Sequence, residues 1–277
     1  MTMDVLQPPA RGQAGAKRPR SDERIRAVVF DLWGTLVPSP VGRRDEVCRA
    51  MGADLGVDPD AYAAAFRDSY AERFCGTLGS LEETVLELAR RCGGEPEAGA
   101  VARAARRRVA LTRELLVASD DTVAALDQLA ARGFRLGLVT DSSAETPLLW
   151  PDTPLARRLE AATFSCLLGR RMPDPAIFHA TLERLGVLAS EAVYVGDGGG
   201  GELTAARRLG MLAIRLQTGE EERYEDDSAF EGMTVGSLKD LLSQPWALGE
   251  PDGGADPRGE RSMKELPDLD EGDRGGL

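Results

Sequence analysis

The 277-residue chain has one histidine, His179, and four cysteines, Cys48, Cys75, Cys92 and Cys166, with no CxxC pair among them. One imidazole cannot form a histidine metal cluster, and it gives a Ser-His-Asp hydrolase little support. His179 falls in a helical pattern and reads as a packed or surface side chain. The scattered thiols match no zinc spacing and point to a reduced, cytoplasmic setting. No apolar run reaches the length of a membrane span. Residues 1–24, rich in Pro, Gly, Ala and Arg, lack the hydrophobic stretch of a secretory signal and read as a disordered tail. A basic surplus is also missing. The net charge is −12, which argues against nucleic acid as a partner. That acidity is local: residues 220–231 hold seven acids and one base, and residues 248–277 hold nine acids and four bases. They read as a solvated loop and a solvated tail, leaving the rest of the chain near neutral. There is no internal repeat.

What is present is an alternation of short apolar runs and helical patterns. Strands are expected at Arg26–Asp31, Phe134–Thr140, Ala162–Leu168, Ala192–Asp197 and Met211–Leu216. Helices are expected from a Ser119 cap through Ala131, at Asp174–Leu185 with Pro175 at its first position, at Glu202–Leu209 and at Ser237–Leu242. This βαβ order implies a parallel sheet with helices on both faces. The stretch 43–118 shows only helical periodicity. Tyr62, Phe66, Tyr70 and Phe74 recur every fourth residue over Asp60–Phe74 and read as one packing face. Arg103, Arg106, Arg107, Arg108 and Arg113 read as the solvated side of a later helix. The expected division is a disordered tail at 1–24, a Rossmann-like core at 25–41 and 119–246, a helical cap at 42–118, and a disordered acidic tail at 247–277.

Four segments carry the chemistry. Phe30-Asp31-Leu32-Trp33-Gly34-Thr35 ends the first strand, and Thr140-Asp141-Ser142-Ser143 ends the second. Arg170-Arg171-Met172-Pro173-Asp174-Pro175 leads into a helix. Val195-Gly196-Asp197-Gly198 ends a later strand, with Glu202 five residues beyond Asp197. Aspartates at strand ends of a parallel sheet can meet over one ligand, because crevices in such sheets open at the carboxyl edge. The four-glycine run Gly198–Gly201 reads as a flexible turn rather than a ligand loop.

In this order and context the segments resemble the haloacid dehalogenase-like hydrolase superfamily from about residue 26 to 217, with a helical insert where that superfamily places its first type of cap. The resemblance implies Asp31 as nucleophile, forming an aspartyl ester. It implies Mg²⁺ held by Asp31, the carbonyl of Trp33 and Asp197, with Glu202 holding a coordinated water. Thr140, with the backbone amide of Asp141 or Ser142, would hold the transferred phosphoryl group, and Arg171 is a candidate substrate contact. The substrate implied is a small phosphorylated metabolite, with no nucleic acid and no membrane as partners.

Two positions depart from the pattern. Superfamily phosphatases carry a general acid two residues after the nucleophile, and here that residue is Trp33, whose indole N–H has no useful acidity. This points to activated leaving groups, acyl or aryl phosphates. It also leaves open a 2-haloacid dehalogenase, since a halide leaves without a proton. The lysine expected before the helix is Met172. Its loss leaves carboxylates without a balancing side-chain cation, so that Arg170 or Arg171 swings in, Mg²⁺ takes the whole load, or turnover is slow, and it leaves open a catalytically impaired binding or regulatory protein.

Overall fold

The computed structural model describes residues 24–218 and 230–248. The tails expected at 1–24 and 247–277 and the acidic stretch 220–231 lie outside the described residues, save for their edge positions. In chain order the elements are β1 Ala27–Phe30; the helices α1 Val41–Asp54, α2 Pro59–Asp68, α3 Tyr70–Phe74, α4 Leu81–Arg91, α5 Ala98–Leu115 and α6 Asp120–Ala131; β2 Arg135–Thr140; α7 Glu145–Leu149; β3 Ala161–Phe164; α8 Ser165–Leu168; α9 Pro175–Leu185; β4 Ala192–Gly196; α10 Glu202–Leu209; β5 Leu212–Leu216; β6 Met233–Val235; and α11 Pro245–Leu248.

All six strands run parallel in the order β3-β2-β1-β4-β5-β6. The central strand shows why the sheet is sandwiched. Val28 and Phe30 point into one apolar cluster with Leu126 and Leu129 of α6, and Ala27 and Val29 point into the other with Ile177 and Phe178 of α9 and Leu203 of α10. Successive side chains of a strand alternate faces, so a strand apolar at every position needs cover on both. The fold is therefore a Rossmann-like α/β sheet. Helices α1, α2, α4 and α5 enclose a third, separate cluster built on Met51, Tyr62, Phe66, Val85, Leu88 and Ala104.

Several expectations on element boundaries need correction. Ala162–Leu168 is not one strand: β3 stops at Phe164 and α8 begins. The Ser165 hydroxyl is needed there, accepting the Ser142 amide at 2.9 Å and donating to the Ser142 carbonyl at 3.3 Å. Leu167 and Leu168 point to solvent. Asp60–Phe74 is two helices. Ser69 Oγ and the Arg73 guanidinium both donate to the Phe66 carbonyl, at 2.9 Å each, and such local bonds draw the backbone out of the helical ladder. Tyr62 and Phe66 stay in the helical cluster, while Tyr70 and Phe74 turn away from it to line a cavity. The Ser237–Leu242 segment is a 3₁₀ helix, Leu238–Ser243, and the short strand β6 was not read from the sequence.

Candidate active site

Strand order places Asp31 and Asp197 side by side. Phe30 of β1 registers with Val195 of β4, and the Asp31 amide extends the ladder by donating to the Val195 carbonyl at 2.9 Å. The chain then turns at once, with Gly34 at φ +81°. A β-carbon on Gly34 would collide with the Asp197 carboxylate, and one on Gly196 would collide with that of Glu202. Both turns need glycine because carboxylates fill the space beside them.

Asp31, Asp197 and Glu202 each present an oxygen within 4.8 Å of the others. The Gly199 amide donates to Asp197 Oδ1 at 2.9 Å, and the Gly198 amide to Glu202 Oε1 at 2.9 Å. The second Glu202 oxygen accepts the Tyr194 hydroxyl at 2.7 Å. The glycine run thus does more than turn: two of its amides hold site carboxylates. Burial drives the Asp31 carboxyl well above its usual range, and the charges of Glu202 and Asp197 push it further the same way. Asp31 and Glu202 are buried and Asp197 is half-buried, and carboxylates this close need a cation to ionise together. No lysine supplies it, since Lys239 is the only lysine among the described residues. Met172 is buried with its sulfur 3.3 Å from the Tyr194 hydroxyl. Neither neighbouring arginine takes the lysine's place. Arg170 lies 3.8 Å from Asp174, and Arg171 donates to the Met172 carbonyl at 3.1 Å with its guanidinium 5.4 Å from the centre of the Tyr70 ring. A hard divalent cation such as Mg²⁺, which favours oxygen ligands and keeps its own waters, fits this donor set.

Above the carboxylates lies a cavity of about 380 Å³. Of the candidate site residues, it is lined by Asp31, Trp33, Asp141, Arg171, Asp197 and Glu202, together with Met172 and the glycines Gly199 and Gly200; Tyr70 and Phe74 of α3, expected only to pack, and Arg44 of α1 join them. The Arg44 guanidinium stacks 4.6 Å from the Trp33 ring centre, a cation–π contact. Thr140 and Ser142 are fully buried at the end of β2 and do not line this cavity. The Ser142 amide is taken by Ser165. Asp141 is held by the Met172 amide at 2.9 Å and approached by the Tyr70 hydroxyl at 3.5 Å. The wall residues from α1 and α3 were not singled out in the sequence as site residues, because a fourfold aromatic spacing looks the same whether it packs or lines a site.

Arg108 also departs from its expected place. It is buried, and it donates to Glu145 of α7 at 2.7 Å, while Arg73 reaches Ser143 at 3.3 Å. The helical block is therefore joined to the loop that follows β2. Arg107 keeps the expected outer face and pairs with Asp54.

A family model described as haloacid dehalogenase-like hydrolase matches residues 25–210. A glyceraldehyde 3-phosphate phosphatase of Methanopyrus kandleri is 32% identical over 225 residues, covering 73% of this chain and 90% of the relative. A phosphoglycolate phosphatase of Escherichia coli K12 is 29% identical over 260 residues, covering 83% and 94% respectively. A solved 2-haloacid dehalogenase from Pseudomonas syringae pv. Tomato aligns with a TM-score of 0.61 at 24% identity, over 79% of this chain and 97% of that one, and shares the fold. With its sheet order, its paired strand-end aspartates and a family match running across most of the described residues, the chain belongs to the haloacid dehalogenase-like hydrolases and is an enzyme of that class.

Proposed function

We propose that the protein is a Mg²⁺-dependent phosphatase of small phosphorylated metabolites, with Asp31 as nucleophile. The observation that carries this reading is the cluster of Asp31, Asp197 and Glu202 oxygens within 4.8 Å in a pocket that no lysine of the described residues lines. Asp31 attacks phosphorus and forms an aspartyl phosphate, which splits one hard displacement into two easier ones. Asp31, Asp197 and the Trp33 carbonyl would hold Mg²⁺, and Glu202, with both oxygens already accepting hydrogen bonds, would hold one of its waters. Bound there, the ion supplies positive charge against the carboxylates and the phosphoryl oxygens. The helical block 42–118 acts as the cap, with Tyr70, Phe74 and Arg44 closing the cavity and Arg171 contacting substrate. Thr140 supports the phosphoryl site from beneath, through its place at the end of β2. The small cavity and the names of the relatives, phosphatases of glyceraldehyde 3-phosphate and phosphoglycolate, favour a small phosphate monoester.

Trp33 at the general-acid position favours a second reading, displacement of halide from a 2-haloacid. A panel of phosphate esters and 2-haloacids, assayed with Mg²⁺ and with chelator, separates the two. Phosphate release that needs Mg²⁺ and is abolished in Asp31→Asn supports the phosphatase. Halide release indifferent to chelator overturns it.

A further inference from the structure

We infer that Asp141 is the proton donor to the leaving group, standing in for the acid that Trp33 cannot supply; this rests on the phosphatase reading of the same site. Asp141 follows β2, and β2 pairs directly with β1, Leu138 lying opposite Phe30. The nucleophile and Asp141 thus come from neighbouring strand ends and line one cavity. Asp141 sits two residues farther along its strand direction than the position opposite Asp31, which is toward the helical block. In phosphoryl transfer the attacking and leaving oxygens are roughly in line. An oxygen leaving opposite Asp31 therefore moves toward that same side.

The carboxyl is built for the task. Its Oδ1 is fixed by the Met172 amide at 2.9 Å, while Oδ2 faces the Tyr70 hydroxyl at a loose 3.5 Å. A β-carbon on Gly200 would stand 3.9 Å from Oδ2, so the opposing wall leaves room beside it. The titratable and charged groups facing Asp141 are Arg171, Tyr70, Asp31 and Tyr194. Burial raises the Asp141 carboxyl to about 6, against the lowering effects of the Met172 amide, Arg171 and Tyr70. A carboxyl titrating there can give and take a proton near neutral pH.

The steps balance. An Asp31 oxygen bonds to phosphorus as the P–O bond to the leaving group breaks, and the departing oxygen takes the Asp141 proton. Water then attacks the aspartyl phosphate and gives a proton to the Asp141 carboxylate. The bond from phosphorus to Asp31 breaks, freeing phosphate and restoring both side chains. With a proton available, the restriction to activated leaving groups expected from Trp33 is lifted.

The test compares an alkyl ester, glycerol 2-phosphate, with p-nitrophenyl phosphate in the wild type and in Asp141→Asn, whose amide oxygen can still accept the Met172 amide. kcat/KM is read because it reports the attack step. For the alkyl ester it should fall about 10²–10⁴-fold in the variant, and for the aryl ester, which leaves without a proton, by less than about tenfold. In the wild type, alkyl-ester kcat/KM should carry a limb that falls with rising pH and that the aryl ester lacks, and the variant should lose that limb. Equal losses on both esters, no loss on either, or a limb that persists in the variant overturns the inference. If the variant misfolds, the wild-type profiles still decide: alkyl and aryl esters with pH profiles of the same shape overturn it. Failure of the wild type to hydrolyse either ester sinks the phosphatase reading and this one with it, whereas wild-type turnover with equal losses in the variant sinks this one alone.

Discussion

Met172 sets the electrostatics of the pocket by what it does not carry. Its sulfur lies beside Tyr194, which in turn bonds Glu202, so the side chain points at the carboxylate cluster without neutralising it. Lysine has nearly the same length and would bring an ammonium to this spot. An opposite charge within a few ångströms lowers a carboxyl pKa by about 1–3 units. Met172→Lys is therefore expected to ionise Asp31 at lower pH and raise kcat/KM at limiting Mg²⁺. A Mg²⁺ titration of both proteins checks this, and unchanged turnover would show that missing charge does not limit the site. Gly34 tests the same pocket sterically. Its φ of +81° and the Asp197 carboxylate leave no room for a methyl group. Gly34→Ala should cost about 1 kcal/mol or more in a denaturant melt, and it should weaken Mg²⁺ activation by displacing Asp197. Asp31 and Asp197 were legible from the sequence because each ends an apolar run and precedes glycine. Asp141 was legible only as a backbone contact, since its raised pKa comes from burial, against the lowering contacts of the Met172 amide, Arg171 and Tyr70, and no spacing reports burial.

At the level of elements, the join between α5 and α7 is the feature that periodicity could not reveal. Arg106, Arg107 and Arg108 are adjacent and chemically alike, yet Arg108 alone turns inward to Glu145. Helical spacing gives the faces of a helix but not which face a second unit will cover. Removing one partner of a buried ion pair leaves an uncompensated charge, a cost of about 3–5 kcal/mol. Glu145→Ala should lower stability by that order and loosen the helical block from the loop after β2, read as faster proteolysis within residues 42–118. The pH dependence follows from the same pair. Burial alone would raise the Glu145 carboxyl, but Arg108 beside it, helped by Arg73, holds it below its usual value. A carboxyl whose pKa is lower in the folded state contributes stability above its unfolded pKa of about 4.3, and that contribution is lost as pH falls through the folded value. Acid denaturation of the wild type should therefore be steeper below that point than that of Glu145→Gln, as followed by melts at a series of pH values. The α2–α3 break belongs to the same scale. It depends on Ser69 and Arg73 sharing the Phe66 carbonyl, and it is what delivers Tyr70 to Asp141.

Across the whole molecule, the order β3-β2-β1-β4-β5-β6 turns positions 31, 141 and 197, distant in sequence, into neighbours along one sheet edge. The meeting of positions 31 and 197 was expected, because crevices in parallel sheets open at the carboxyl ends of the strands. The alternation of strands and helices, however, does not fix the strand order or bring position 141 beside them. Of the four carboxyl groups that line the pocket, those of Asp31, Asp197 and Glu202 converge, and a cation bound among them should show in global stability. A ligand that binds only the folded state stabilises it by about 2.7 kcal/mol at one hundred times its Kd. For a domain of this size each kcal/mol moves Tm by about 2–4 °C. Mg²⁺ should therefore raise the wild-type Tm by several degrees over the chelated protein. Asp197→Asn should reverse the order. Without metal it removes one of the charges crowding Asp31, while its amide oxygen can still accept the Gly199 amide, so it should melt at or above the wild-type temperature. With Mg²⁺ it should melt below, having lost a ligand. Differential scanning fluorimetry of both proteins with Mg²⁺ and with chelator reads all four values. Equal Mg²⁺ shifts in the two proteins would mean that the ion binds elsewhere, and that Asp197 serves only the turn it follows.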